Sequence, residues 1–209
     1  MSGNDVKAKD RWGFPELPEG TPRRGGNLFK KLCRRLYWLW GWKFEGEFPD
    51  EMKKAVIIAA PHTSNWDFIV AVLVVFGLDI RLSIFGKHKL FWWPFSVFLR
   101  WMGVEPVNKH HNWGMVETAV ERFENRDAFI MAMAPEGTRS AVPKWRTGYF
   151  QIATAAQVPV LPVGINYEAK RLCLFDSYWL TGDEATDTAH LHSLFVDQIG
   201  KRPENWVEK

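Results

Sequence analysis

Cysteine is nearly absent: Cys33 and Cys173 are the only two in 209 residues. So few thiols, far apart, exclude a disulfide framework and any thiolate zinc spacing, and make a reducing compartment the default. Long hydrophobic runs are also missing. The longest, Phe68 to Phe76, falls well short of the roughly 20 apolar residues a spanning helix needs. The first 27 residues are polar and lack the apolar core of a secretory signal, so none is expected. There is no G-x-S-x-G elbow, which argues against a serine esterase, and no P-loop or dinucleotide fingerprint. His110-His111 and His190-x-His192 lack the partner pattern of a metal site and read as surface histidines. Excess charge of one sign is small as well: a net charge of +3 does not by itself imply nucleic acid, and no such partner is expected.

Aromatic residues are abundant. Twelve Trp and fifteen Phe exceed what a core of this size needs, and Trp in excess suits the headgroup layer of a membrane. An aromatic-rich core accounts for many of them. Hydrophobic content of 46% and charged content of 24% fit a globular chain with one well-buried core. The charge is unevenly placed. Arg23, Arg24, Lys30, Lys31, Arg34 and Arg35 occur with no acid among them, whereas Asp183, Glu184, Asp187, Asp197, Glu204 and Glu208 give the tail an acidic lean. This asymmetry points to a basic face near the N-terminus for an anionic surface.

Residues 1–26, rich in Pro, Gly and charge, read as an extended or mobile arm, and 27–209 as a single domain. Within it, 27–44 forms an amphipathic membrane-contact segment whose helix covers 28–42. At 100° per residue Leu28, Phe29, Leu32, Cys33, Leu36, Tyr37, Leu39 and Trp40 share one half of the wheel. Lys30, Lys31, Arg34 and Arg35 take the other, with Trp38 and Trp42 among them. The alternative is an ordinary helix docked on the core with a solvated basic face. Beyond it, apolar runs of strand length alternate with helical patterns. Strands are expected at 54–60, 81–85, 104–107, 127–133, 158–167 and 171–175, and helices at 66–77, 90–102, 113–124, 147–157 and about 186–199. Pro159 and Pro162 place the 158–167 strand at an edge or bulge. The alternation implies an α/β fold, a mostly parallel central sheet flanked by helices.

Two short motifs carry the chemistry. His62 follows a predicted strand end, the edge where open α/β sheets build sites, and Asp67 lies just inside the next helix. A carboxylate folded back onto the imidazole would set its tautomer and stabilise the imidazolium formed when His62 takes a proton. Taken alone, the spacing equally fits a hydrogen-bonded loop histidine. The second motif is Pro135-Glu136-Gly137-Thr138-Arg139-Ser140. Gly137 permits backbone N–H groups to converge on an anion, and Arg139 supplies a planar fork suited to phosphate. Glu136 also reads as an anchor for a backbone N–H or an arginine.

In four ordered blocks the chain resembles the glycerolipid acyltransferase family, whose best-known members acylate lysophosphatidic acid. The blocks are His62-x4-Asp67, then Gly86 to Phe95 continuing to Gly103 through Lys109, then Pro135 to Ser140, then Val158 to Val163. The resemblance covers residues 55–165, the expected catalytic core. It implies one-step acyl transfer from acyl-CoA or acyl-carrier protein to a hydroxyl of a lysophospholipid such as 1-acyl-glycerol 3-phosphate, without cofactor, metal or covalent acyl-enzyme. His62 would be the general base and Asp67 its orienter. Arg139, with Lys109 and backbone groups near Gly137 and Thr138, would hold the acceptor phosphate. Glu136 would also belong to the substrate-binding site, as would Arg146 in Lys144-Trp145-Arg146-Thr147-Gly148, which looks like the family's Phe-Lys-x-Gly element.

This chain departs from the family pattern in two places: Pro61 stands where Asn often precedes the histidine, and Asn108-Lys109 where an arginine is usual. A lysine cannot make the bidentate grip of a guanidinium, which leaves a different lyso-lipid or an aminolipid acceptor open. A non-catalytic membrane lipid-binding module shares the basic helix and the tryptophans but has no need of a base. The expected location is the cytoplasmic face of a membrane, peripheral or monotopic, in contact with its lipids.

Overall fold

The computed structural model describes residues 9–87, 91–107 and 114–206. Lys109, His110 and His111 and the His88–Leu90 part of the second block lie outside the described residues. Along the chain come α1 (Asn27–Leu39), β1 (Lys43–Glu45), β2 (Lys54–Ala60), α2 (Trp66–Leu78), β3 (Ile84–Lys87), α3 (Phe95–Met102) and β4 (Val104–Val107). There follow α4 (Met115–Glu124), β5 (Phe129–Met133), α5 (Gly148–Ala156), β6 (Val160–Asn166), β7 (Arg171–Leu174) and α6 (Glu184–Ser193).

The main sheet has the order β1-β7-β6-β2-β5, parallel throughout except for the β6–β7 step. β3 and β4 pair in parallel alongside, and Ser83 joins them to the main sheet by exchanging backbone hydrogen bonds with Ile130 and Ala132 of β5. β2 is apolar without interruption because helices cover both faces. Ala55 and Ile57 belong to the core packed by α1, α2 and α3, while Val56, Ile58 and Ala60 belong to the core packed by α4, α5 and α6.

Several expectations are corrected. The strand carrying Pro159 and Pro162 is interior, between β2 and β7. Pro162 is tolerated because its nitrogen faces the end of the β7 pairing: Phe175, just past β7, donates its N–H to the Pro162 carbonyl at 3.1 Å, and only the reciprocal bond, which a proline cannot make, is lost. β1 was not foreseen. Its residues continued the helical pattern of 28–42, but α1 stops at Leu39 and Trp42 turns inward to 2% exposure. The 81–85 strand begins later, at Ile84, because Ser83 is spent on β5. The last helix spans 184–193 rather than about 186–199, and within the acidic tail the fully buried Asp187 accepts hydrogen bonds from Thr181, Gly182 and Tyr178.

Residues 9–26 run along the body in contact with it. Phe14 is fully buried. Asp10 accepts from the Trp12 and Phe14 N–H groups and pairs with Arg34, whose Nε donates to the Gly77 carbonyl at 2.6 Å. Gly77 is required here, since a Cβ would lie 2.4 Å from the Phe14 ring. Arg34 is therefore a tertiary fastener and not part of a free basic face.

α1 and α2 pack antiparallel, with Phe29 against Phe76 at one end and Trp40 against Trp66 at the other. The broad apolar half of α1 divides in two. Cys33 and Tyr37 enter the core, while Leu28, Leu32, Leu36 and Leu39 recur at helical spacing and stay exposed. Trp66 and Ile69 of α2 and Val97 and Trp101 of α3 are exposed too. Among the described residues no helix is long and apolar enough to cross a membrane.

If the N-terminal arm is part of the core, Phe14→Ala will destabilise the protein by about 3–5 kcal/mol, the usual cost of emptying a buried aromatic site. Urea unfolding followed by far-UV circular dichroism measures it. A loss below about 1 kcal/mol would mean the arm is only laid on the surface.

Candidate active site

β2 ends at Ala60, and the chain turns into α2 through Pro61, His62, Thr63, Ser64 and Asn65. Asp67 sits in the first turn of α2, where a carboxylate complements the unpaired N–H groups and the positive end of the helix dipole. It is 2% exposed, and its Oδ2 accepts from the Thr63 N–H at 2.8 Å and the Ser64 N–H at 2.9 Å. The same oxygen lies 3.1 Å from His62 Nδ1. Nδ1 thus carries the proton that faces Asp67, and Nε2 is left as the basic nitrogen of a partly exposed ring.

Burial works to raise the Asp67 pKa. Hydrogen bonds from His62 and the Ser64 N–H, the neighbouring Tyr167 hydroxyl and the His62 charge outweigh it, so the carboxyl is held below its ordinary value. Asp67 Oδ1 and the Tyr167 hydroxyl are both buried without a well-formed hydrogen bond, yet close enough for Asp67 to add to the rise that burial imposes on Tyr167. Tyr167, just beyond β6, had no motif to announce it.

The second motif reaches the first through Glu136. Its Oε1 accepts the backbone N–H of His62 at 2.8 Å, fixing the segment that carries the imidazole. This is the anchoring role expected for Glu136, directed to His62. Its Oε2 is buried without a protein partner. Burial pushes the Glu136 carboxyl up, with the nearby Asp67 charge adding to the rise and hydrogen bonds from the His62 N–H and its own N–H opposing it. The loop is held from a third side as well: Thr63 Oγ1 accepts the Arg202 N–H at 3.2 Å, and its carbonyl accepts from Asn205 at 3.4 Å.

Gly137 adopts φ +66°, and a Cβ there would lie 2.5 Å from Arg146 Cδ. The arginine lies across the glycine, and its N–H donates to the Pro135 carbonyl, so Arg146 is brought to the motif turn as expected. Arg139 is exposed on that turn. Three residues from Glu136, it is at most roughly 11 Å away along the chain. Thr138 Oγ1 accepts weakly from the Ser140 N–H at 3.4 Å. Lys109, expected beside them, lies outside the described residues.

An apolar cavity of about 540 Å³ opens beside Glu136, walled by Pro143, Trp145, His192, Val196 and Trp206. His192 stacks flat on Trp206, and burial lowers its pKa, which keeps the ring neutral and the wall apolar. The wall joins three stretches, around 143–145, 192–196 and 206, and no single local pattern could have brought them together.

Residues 42–166 match the protein family described as Acyltransferase. The chain is 30% identical over 155 residues to the 1-acyl-sn-glycerol-3-phosphate acyltransferase of Escherichia coli K12, covering 70% of this chain and 62% of that protein. It is 31% identical over 140 residues to the Haemophilus influenzae protein of the same name, covering 62% and 56%. The chain thus spans less than two thirds of the length of these curated relatives. The crystal structure of the 1-acyl-sn-glycerophosphate (LPA) acyltransferase PlsC from Thermotoga maritima has the same fold, with a TM-score of 0.56 and 19% identity over 79% of this chain and 74% of that one. The family match takes in both motifs and β1 through β6, and excludes α1 and α6.

Glu136 makes a titration test. Its raised pKa means the folded protein holds that proton more tightly than the unfolded chain, whose value is about 4.3. Its contribution to stability is therefore present at low pH and is lost as pH rises through the unfolded and then the folded value. Thermal melts should show Glu136→Gln gaining on the wild type between pH 4 and pH 7. A gain in the opposite direction would mean that the ionised carboxylate is favoured where it sits.

Proposed function

Because this chain belongs to the acyltransferase family, we propose that it moves a fatty acyl group from an acyl thioester, acyl-CoA or acyl-carrier protein, to the hydroxyl of a lysophospholipid of the 1-acyl-glycerol 3-phosphate type. The observation that carries the reading is the 3.1 Å contact between His62 Nδ1 and a buried, hydrogen-bonded Asp67. With Nδ1–H turned to Asp67, Nε2 takes the proton of the acceptor hydroxyl as its oxygen attacks the thioester carbonyl. The imidazolium that forms is stabilised by the Asp67 anion. As the tetrahedral adduct collapses and the carbon–sulfur bond breaks, Nε2–H returns the proton to the departing thiolate. Substrates enter and leave without a net change in the enzyme's protonation.

Arg139 and Arg146, both exposed at the Gly137 turn, supply planar donors for the acceptor phosphate. Lys109 retains its place in the proposal on the family resemblance. Glu136 acts as a positioning residue, through the His62 N–H. The cavity beside it offers Trp145, Val196 and Trp206 to a hydrocarbon chain, while Lys144 and Glu184 on its lining pair with each other at 3.8 Å. The exposed leucines of α1, with Trp66, Val97 and Trp101, favour work at a lipid surface, where such a face is covered rather than left in water.

Release of free thiol from acyl-CoA in the presence of lysophosphatidic acid, with mass spectrometry of the product, tests the proposal. His62→Ala should lower kcat by about 10²–10⁴-fold while far-UV circular dichroism shows the protein still folded, the range for a lost general base, and Asp67→Asn should lower it as well. Retained activity in both would remove the mechanism. Arg139→Ala should raise the KM for lysophosphatidic acid about tenfold or more and leave that for acyl-CoA near wild type, the loss of a charge-assisted phosphate contact. An unchanged acceptor KM, or faster turnover of a lyso-aminolipid in the same panel, would redirect the acceptor assignment.

A further inference from the structure

A second cleft, about 700 Å³ in volume, lies away from His62. It is lined at Leu82, Ser83, Gly103 and Val104, where the chain enters β3 and β4, and by Arg122 and Arg126, which precede β5. His62 and Glu136 follow the opposite ends of β2 and β5, strands parallel to each other. The cleft and the catalytic pair are therefore separated by about a strand's length, roughly 15 Å.

Six arginines line this cleft, Arg23, Arg24, Arg81, Arg100, Arg122 and Arg126, against two carboxylates, a surplus of four positive charges. Both carboxylates are already engaged. Asp79 Oδ1 accepts the N–H groups of Gly25 and Gly26. Glu105 accepts from Ser83 and Arg126, with Arg122 Nε 3.5 Å away. Arg24 forms the floor, donating to the carbonyls of Ile80, Trp101 and Met102 with its guanidinium over the Phe76 ring. Its pKa is lowered, by burial first and by the charge of Arg81 next. Arg81 and Arg100 stand exposed at the rim, with no acidic partner among the described residues. So concentrated a charge calls for an anion.

The apolar wall of the cleft identifies the kind of anion. Phe29, Phe76 and Trp101 line it and pack on one another. Phe29 adjoins Leu28, which is 86% exposed and begins the exposed leucine stripe of α1. The stripe runs from this cleft to Leu39, beside Trp40, whose ring packs on Trp66 at the start of α2. A ligand filling the cleft meets guanidinium groups on one side and a surface continuous with hydrocarbon on the other. We infer that this cleft binds the phosphate headgroup of an anionic membrane phospholipid that is not the acyl acceptor. The bound headgroup fixes the α1–α3 face against the leaflet and so presents the catalytic end to lipid. This inference rests on the lipid-facing part of the reading above and is independent of the acyl-transfer chemistry.

The test uses the full chain and vesicles of phosphatidylcholine with or without phosphatidylglycerol, read by flotation. Arg81→Gln/Arg100→Gln removes two charges at the cleft rim. Lys31→Gln/Arg35→Gln removes two exposed charges of α1 outside it. Diffuse attraction predicts equal losses for equal charge, since each surface cation contributes alike. The cleft predicts that the first pair loses binding to phosphatidylglycerol vesicles about tenfold more than the second, while both bind phosphatidylcholine as the wild type does. Arg100→Gln alone gives a smaller loss of the same kind if the double variant does not fold.

Equal losses from the two pairs would overturn the site. Displacement of the protein's cleft contacts by millimolar inorganic phosphate, with vesicle binding unaffected by the cleft pair, would assign the cleft to a soluble anion and overturn it too. Leu32→Asp/Leu36→Asp tests the lipid face by itself: if it still floats with neutral vesicles, the membrane reading fails first. Thiol release in detergent stays at the wild-type rate in the cleft pair, so a failure of the cleft and a failure of the chemistry are told apart.

Discussion

One buried carboxylate organises the catalytic end of this protein. Asp67 is removed from water, a costly place for a charge, and remains ionised because two backbone N–H groups, the His62 imidazole and the start of α2 all favour the anion. The same contacts that stabilise the charge close the turn between β2 and α2 and select the His62 tautomer. The side chain that makes the base effective therefore also shapes the loop on which it sits. Burial is what gives the pair its strength, since an exposed Asp–His contact would be screened and nearly without orienting power.

Glu136 ties the second motif to the first by holding the backbone of His62, and Thr63 binds the C-terminal segment on the other side. The loop that carries the base is braced from three directions, by α2, by the turn after β5 and by residues 202–205. Such bracing would hold the proposed proton acceptor in place before a ligand arrives, which is how positioning contributes to rate. The family match ends at residue 166, yet Arg202, Asn205, His192 and Trp206 touch or border the site. The part of the chain outside the match thus completes the walls that the matched part leaves open.

The proposed lipid contact and the proposed catalytic pair share one scaffold. α1 and α2 are antiparallel, so the exposed leucine stripe extends from the arginine cleft to the tryptophans next to His62. One helical face thereby spans both ends of the sheet. The aromatic excess divides accordingly: Tyr37, Trp42, Phe44 and Phe123 fill the core, while Trp66, Trp93 and Trp101 remain at the surface.

Much was legible in the sequence because it is set by local chemistry. The limits of β2 and β4 and the existence of α2, α4 and α5 follow from apolar runs and periodicity, and the two motifs stand out by residue type and spacing. The mostly parallel α/β arrangement follows from the alternation of elements. Sequence patterns could not show which side of α1 turns inward, because Leu and Tyr look alike on a helical wheel. They made Arg34 a surface cation when Asp10 and the Gly77 carbonyl claim it. They put a proline-bearing strand at an edge or bulge, although Pro162 lies where the β7 pairing ends and gives up one hydrogen bond while its carbonyl still accepts the Phe175 N–H. The arginine cleft and the apolar cavity each draw residues from four or more separated segments, and the Tyr167 contact with Asp67 joins two distant ones. Such sites depend on distances in space, and a linear pattern holds no record of those until the sheet order brings the segments together.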